Sequence, residues 1–212
     1  MYHQYFKRLI DIVLASILLI IFFVPCVLVA IAIKLDSVGP IFADTPERVG
    51  QFNKHFRMFK FRSMIVNAHH IMRTDPTYAK LFEEFKNNSF KLNNDPRVTR
   101  VGRFIRKYSL DEVPQFINVL RGEMSIVGPR AYYQDELDHQ SQKYSDVKSA
   151  VHKVLSVKPG ITGLWQVSGR SMVNFDRRIL IDAQYVDSMS FWSDLKIIFK
   201  TPFAMVSGRG AV

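Results

Sequence analysis

The chain has 212 residues and a formal net charge of +10 at neutral pH, with 29 Lys and Arg against 19 Asp and Glu. Its one cysteine, Cys26, lies in an apolar segment, which excludes a disulfide framework, and no Cys/His metal cluster, Walker loop, dinucleotide fingerprint or internal repeat is present. Strong basicity beside an apolar anchor points to anionic headgroups or phosphorylated substrates rather than nucleic acid.

Ile12 to Ile33 contains no charged residue. As a helix it would extend about 33 Å, enough to cross a hydrocarbon core. Ala30-Ile31-Ala32 resembles a signal cleavage site, but the apolar run is longer than a usual signal core, and cleavage would export a domain that looks cytosolic. Pro25 near the middle removes a backbone hydrogen bond and predicts a kink. Lys7 and Arg8 precede the run, and Lys34, Arg48, Lys54 and Arg57 follow it, so positive charge favours neither end. A helix broken at Pro25 with both ends on one face satisfies both observations. Spanning helices also tolerate proline, so spanning and re-entrant forms both stay open. Asp11 and Arg8 have the spacing of a helical ion pair.

Gly39-Pro40 marks the exit from this segment. Arg48 to Met64 reads as a hairpin that ends in two cations and a hydroxyl, Lys60, Arg62 and Ser63. Ile65 to about Leu92 reads as polar helix broken at Asp75-Pro76, and Asn94-Asp95-Pro96 as a turn. Arg97, Arg100, Arg103 and Arg106 follow at three-residue spacing, which puts several on one helical face. A solvated basic face is the plain explanation, but the run leads directly into Asp111-Glu112.

Those two carboxylates sit where a helix is expected to begin. Ser109 and Glu112 have capping-box spacing, Pro114 fits only near a helix start, and Phe116, Ile117, Val119 and Leu120 give an apolar face before Gly122 stops it. The helix N-terminus, Arg106 and Lys107 would favour ionised carboxylates and attract phosphate. An ionised Asp beside an anion site suits nucleophilic attack on a phosphoryl group. Alternatively, the pair simply complements the helix dipole.

Beyond it, Ser125 to Arg130 is a short apolar piece ending in Gly128-Pro129-Arg130, and Tyr132 to Val154 reads as a surface helix. Lys158 to Arg170 is too glycine-rich for a regular helix; such a loop either brings backbone N–H groups to a ligand or only connects. Phe175 to Val186 reads as a helix. Phe191 to Val206 has the composition of an interfacial helix, with core packing as the competing reading.

Taken in order, these blocks resemble the bacterial sugar transferases, the monotopic polyprenyl-phosphate phosphoglycosyl transferases, in their small minimal form. The resemblance rests on Phe6-Lys-Arg-Leu-Ile-Asp11, the Pro-broken segment, Gly39-Pro-Ile-Phe42, Arg48-Val-Gly50, Lys60-Phe-Arg-Ser-Met64 and Asp95-Pro-Arg-Val-Thr-Arg-Val-Gly102. It continues through Ser109-Leu-Asp-Glu-Val-Pro114, Val127-Gly-Pro-Arg130, Lys158-Pro-Gly-Ile-Thr-Gly163 and Asp194-Leu-Lys-Ile197. Three departures stand out. Ala131 replaces the second proline of Pro-Arg-Pro, Val24 precedes Pro25 where relatives often have Ser, and Asp44-Thr-Pro-Glu47 lacks a frequent Gln.

The resemblance implies an α+β, mostly helical fold. Residues 1–36 would form a Pro-broken re-entrant membrane helix involving Pro25, Lys7, Arg8 and Asp11. Residues 37–212 would form a cytoplasmic catalytic domain with a small β-hairpin and amphipathic interfacial helices. It also implies transfer of a sugar-1-phosphate from a UDP-sugar to polyprenyl phosphate with release of UMP, on the cytoplasmic face of the bacterial inner membrane. Asp111 would be the nucleophile, with Glu112 helping to place Mg²⁺ or to assist proton transfer. Lys60, Arg62, Arg106, Arg130 and Arg170 would bind phosphate or nucleotide, and Asp182 and Asp194 would support them. The expected partners are the UDP-sugar, polyprenyl phosphate and the lipid membrane, with no nucleic acid and with a homodimer left open. Leu164 to Arg170 and the Ser207-Gly-Arg-Gly-Ala ending favour UDP-galactose or UDP-glucose as donor. A UDP-N-acetylated sugar, or a non-catalytic scaffold binding anionic lipid, is the alternative.

Overall fold

In the computed structural model, which describes residues 5–87, 92, 94–144, 147–168 and 174–206, the apolar segment forms two helices. They are α1 (Lys7–Ile21) and α2 (Phe23–Asp36), bent by 59° across Phe22. The bend falls ahead of Pro25 because proline cannot donate to the carbonyl four residues back and its ring crowds that carbonyl. Phe22 bridges the two helices: its N–H donates to Leu18 O at 2.9 Å and its carbonyl accepts from Cys26 N at 2.8 Å. Among the described residues no single helix is long and apolar enough to cross a membrane; this bent pair passes only together. Both helices present bare apolar side chains, Ile20, Ile21, Phe23, Val24, Leu28 and Leu35 among them.

The polar part begins with β1 (Arg48–Val49) and β2 (His55–Phe56), an antiparallel pair in which Arg48 faces Phe56. The hairpin is shorter than expected: Arg57 to Met64 runs on as extended chain, tied by the bridges Phe42–Phe61 and Met64–Val98. α3 (Ala68–Thr74) and α4 (Ala79–Asn87) are separated at Asp75-Pro76 as the sequence predicts, with Asp75 capping the short turn that follows. α5 (Arg100–Lys107) is capped by Thr99, whose hydroxyl accepts from Gly102 N. α6 (Gln115–Arg121) ends at Gly122, whose φ of 80° puts it in the left-handed region.

β3 (Ser125–Val127) pairs in parallel with β4 (Gly160–Thr162), which lies inside the glycine-rich stretch. A Cβ on Gly160 would lie 2.0 Å from Gly128 N, so this approach of two backbones requires glycine. Between these strands the expected single helix is two, α7 (Gln134–Lys143) and α8 (Lys148–Val154). Contrary to the expectation of no regular helix, Leu164–Ser168 forms α9 directly after β4, because the glycines cluster ahead of it. α10 (Phe175–Asp187) and α11 (Phe191–Val206) match their predicted limits closely.

The result is α+β and mostly helical. α1 packs on α6 and β3, and Ala15 joins Phe116, Val119, Met124 and Ile126 in the central core. A second core gathers Val49, Tyr132, Phe175 and Ile179 around α7, α8 and α10. α11 buries Asp194 and Ile197 but exposes Trp192, Phe199 and Phe203, so its outer face is apolar too.

Candidate active site

Asp111 lies in a 3₁₀ turn, Leu110–Glu112, between α5 and α6. The capping box does not form. Ser109 takes a left-handed conformation (φ 54°) with no side-chain cap, and Glu112 N donates to the Ser109 carbonyl instead. A non-glycine residue with positive φ costs of order 1 kcal/mol and marks strain beside the dyad. α6 starts only after Pro114, whose fixed φ and missing N–H suit that position.

The extended chain after β2 supplies the cation. Phe61 N donates to the Asp111 carbonyl at 3.0 Å, which locks the two segments together. Its neighbour Lys60 places Nζ 2.8 Å from Asp111 Oδ2 and 3.2 Å from Glu112 Oε1. Burial alone would lower the Lys60 pKa, but Asp111 and Glu112 outweigh it and raise it, so the ammonium is retained. Asp111 is itself almost fully buried.

Around this triad lies a cleft of about 350 Å³ lined by Arg48, Arg106 and Arg130. Arg106 reaches it from α5, with Nε donating to Ser63 Oγ at 2.9 Å. Arg130 has its guanidinium 5.5 Å from the Trp165 ring centroid, and its backbone N donates to Asp182 Oδ2 at 3.0 Å. Arg48 donates to Ala131 O at 3.0 Å and lies 3.2 Å over the Tyr133 ring. The Nε atoms of Arg48 and Arg130 are buried with no protein partner among the described residues, which leaves donors for an anion.

The other expected site residues take varied places. Arg62 lines the cleft, but each of its three nitrogens already donates, to Pro40 O, Ser37 Oγ and Ser37 O, pinning the chain that leaves α2. Asp182 sits behind the cleft, accepting from Arg130 N and the Tyr132 hydroxyl. Burial pushes its pKa up to about 7. Asp194 lies elsewhere, joining Lys7 and the Tyr185 hydroxyl. The expected Arg8–Asp11 pair is absent: Arg8 donates to the last carbonyls of α6, at Val119 and Leu120, while buried Asp11 accepts from Ser125 Oγ and Ile126 N. Their tertiary partners outcompete a local pair. Pro25 is inside α2, and Arg170 lies outside the described residues.

Sequence reading missed Arg48, Tyr133, Trp165 and His69 as cleft residues. Arg48 gave a signal in the Arg48-Val-Gly50 block and Trp165 in the Leu164 to Arg170 stretch, while Tyr133 and His69 gave none. Among the described residues no three His, Cys, Asp or Glu converge as a metal site. Asp111 and Glu112 nevertheless direct one oxygen each to a common point at Lys60 Nζ. That point is held by the Lys60 ammonium, and no third His, Cys, Asp or Glu among the described residues joins the pair there.

The sequence profile of the bacterial sugar transferase family matches residues 2–208. The chain belongs to that family. It is 42% identical over 212 residues to the undecaprenyl-phosphate galactose phosphotransferase of Salmonella typhimurium, covering 98% of this chain and 42% of the relative. To the UDP-galactose-lipid carrier transferase of Erwinia amylovora it is 41% identical over 212 residues, 98% of this chain and 42% of the relative. Exopolysaccharide production protein ExoY of Rhizobium meliloti is 39% identical over 209 residues, 97% of this chain and 87% of that protein. The chain thus spans less than half the length of the first two relatives.

Proposed function

We propose that this protein transfers a sugar-1-phosphate from a UDP-sugar to polyprenyl phosphate, releasing UMP. The observation that carries the reading is a buried, lysine-paired Asp111 facing a cleft with unpartnered arginine donors. In the first displacement an Asp111 oxygen bonds to the sugar-bearing phosphorus as the bond to UMP breaks, and UMP leaves as a phosphate monoester. In the second, a polyprenyl phosphate oxygen attacks that phosphorus and frees the Asp111 carboxylate. Arg106, Arg130 and Arg48 offset the repulsion between anionic partners and spread charge in the transition state. Asp111 and Glu112 would hold Mg²⁺, which supplies further neutralisation of the diphosphate. UDP-galactose or UDP-glucose is the favoured donor, supported by the galactose-linked names of two relatives.

The bent α1–α2 pair, free of charged residues between Ile12 and Ile33, supports a re-entrant membrane segment in residues 1–36, with the catalytic part in 37–212. The apolar outer face of α11 adds a second membrane contact. The cleft would then open at the cytoplasmic face of a bacterial inner membrane, where a soluble nucleotide sugar meets a lipid acceptor.

The test is intact-protein mass spectrometry of detergent-purified protein with Mg²⁺ and a panel of UDP-sugars, without lipid acceptor. The expected result is a mass gain of one sugar phosphate that is lost in Asp111→Asn, and the donor that gives it names the sugar. No adduct with any donor, together with no UMP release when polyprenyl phosphate is added, would overturn the reading in favour of a non-catalytic scaffold.

A further inference from the structure

One end of the cleft differs chemically from the dyad. His69, at the start of α3, and Tyr133, just before α7, both line it, their ring centroids 6.1 Å apart at 63°. Arg48 covers one face of Tyr133 at 3.2 Å, and Asn67, two residues before His69, lines the same cleft. This wall combines ring edges, a planar guanidinium and an amide, the groups that take a flat heteroaromatic ring. The ring nitrogens of His69 carry no protein hydrogen bond among the described residues.

The charges around the cleft set what can lie there. Asp111, Glu112 and Lys60 occupy one part, and Arg106 acts electrostatically on both Lys60 and His69. Arg48 and Arg106 also act on His69, while the guanidinium of Arg97 is taken up by Asp95 and the Ala68 carbonyl. Burial, followed by those arginines and Arg73, pushes the His69 pKa down to about 4. At neutral pH the ring therefore offers one N–H donor and one bare acceptor nitrogen, and no charge for a phosphate. A nucleotide sugar carries, in order, sugar, sugar-bearing phosphate, second phosphate, ribose and base. With the sugar-bearing phosphorus at Asp111 and the diphosphate across the arginines, a neutral ring-lined end suits the base. A pyrimidine imide, with an N–H between two carbonyls, complements a neutral imidazole and an amide.

We propose that His69, Tyr133 and Asn67 form the subsite for the donor's pyrimidine base, with His69 its specificity-determining residue. The proposal deepens the transferase reading and rests on it. The test is calorimetric binding of UMP and, separately, of inorganic pyrophosphate, which has no base, to the full chain in detergent. His69→Ala is expected to weaken UMP binding about tenfold, by loss of a base contact, and to leave pyrophosphate binding within about twofold. With UDP-galactose its KM should rise more than its kcat falls. His69→Gln, which keeps a neutral donor and acceptor, should recover most of the UMP affinity. Unchanged UMP binding in His69→Ala, or equal loss of UMP and pyrophosphate, would overturn the subsite even where wild-type protein forms the Asp111 adduct. Wild-type protein that forms no adduct and binds no UMP would overturn the transferase reading and the subsite with it.

Discussion

Gly102 on α5 lies directly against the carbonyl of Ser63: a Cβ at residue 102 would come 1.9 Å from that oxygen. One turn later Arg106 donates its Nε to the hydroxyl of the same serine. The contact fixes how far α5 stands from the chain carrying Lys60, and hence where Arg106 enters the cleft. Gly102→Ala should push α5 outward, costing about 1–3 kcal/mol of stability through overpacking. Misplacing Arg106 by about 1 Å should slow UMP release at least about tenfold. Ser63→Ala, which removes only the hydrogen bond, should cost about 1 kcal/mol and slow turnover less. Thermal unfolding and UMP-release assays on both variants check the order.

Lys60 holds two carboxylates at once, and its side chain is 21% exposed against 3% for Asp111. Lys60→Met would leave Asp111 buried without its cation beside Glu112. The expected outcome is a loss of about 1–3 kcal/mol in stability, less than for a fully buried pair. Adduct formation should fall by a factor on the order of 100, since a fixed charge at the reacting centre is removed. The measurement is the rate of mass gain with donor alone, beside a melting curve.

Much of this arrangement was legible in the sequence and part was not, for physical reasons. α10 and α11 declare themselves by length and composition, and the α3–α4 break by Asp75-Pro76. The dyad and Arg106 stand close together in one stretch, so their joint presence at a cleft could be anticipated. β3 and β4 escape because three-residue strands show no periodicity and their pairing spans the chain from Ser125 to Gly160. His69, Tyr133 and Arg48 come from three separate segments, and nothing local signals that they share a wall. Arg97 reads as part of a basic face yet is buried, its guanidinium held by Asp95 two residues earlier.

Asp182 makes stability depend on pH. Burial outweighs the hydrogen bonds from Arg130 N and Tyr132 and raises its pKa from 3.8 to about 7, so the folded state binds more protons than the unfolded state between those values. Its contribution is fully present below about pH 4, falls as pH rises towards 7, and is lost above. Asp182→Asn keeps an acceptor for both donors and removes the titration. Its Tm should match wild type within about 1 °C at pH 4 and exceed it by roughly 3 °C or more at pH 8. A Tm difference independent of pH would refute the linkage.

On α11 the apolar residues turned outward separate the two roles left open for this helix. Phe199 is 67% exposed and Phe203 is 79% exposed, so neither supports the core. Phe199→Glu with Phe203→Glu should leave the melting temperature within about 2 °C while lowering partition into anionic lipid vesicles roughly tenfold or more. Vesicle co-flotation measures this directly. Unchanged flotation would confine membrane contact to α1 and α2.

The N-terminal helix is joined to α11 by Lys7, which donates to Asp194 and to the Val127 carbonyl, while the Tyr185 hydroxyl donates to the other Asp194 oxygen. Both charges are nearly enclosed, with side-chain exposures of 12% and 7%. Removing either partner breaks this nearly enclosed ion pair, so Lys7→Met and Asp194→Asn should each cost about 2–4 kcal/mol. The double variant should cost less than their sum by about 1–3 kcal/mol, because both single changes break the same ion pair. Unfolding in detergent micelles gives all three values. Additive costs would mean that the two residues stabilise α1 and α11 separately. A coupled pair would mean that docking of the apolar segment and placement of α11 form one cooperative unit, with β3 and the cleft residues beyond it held between them.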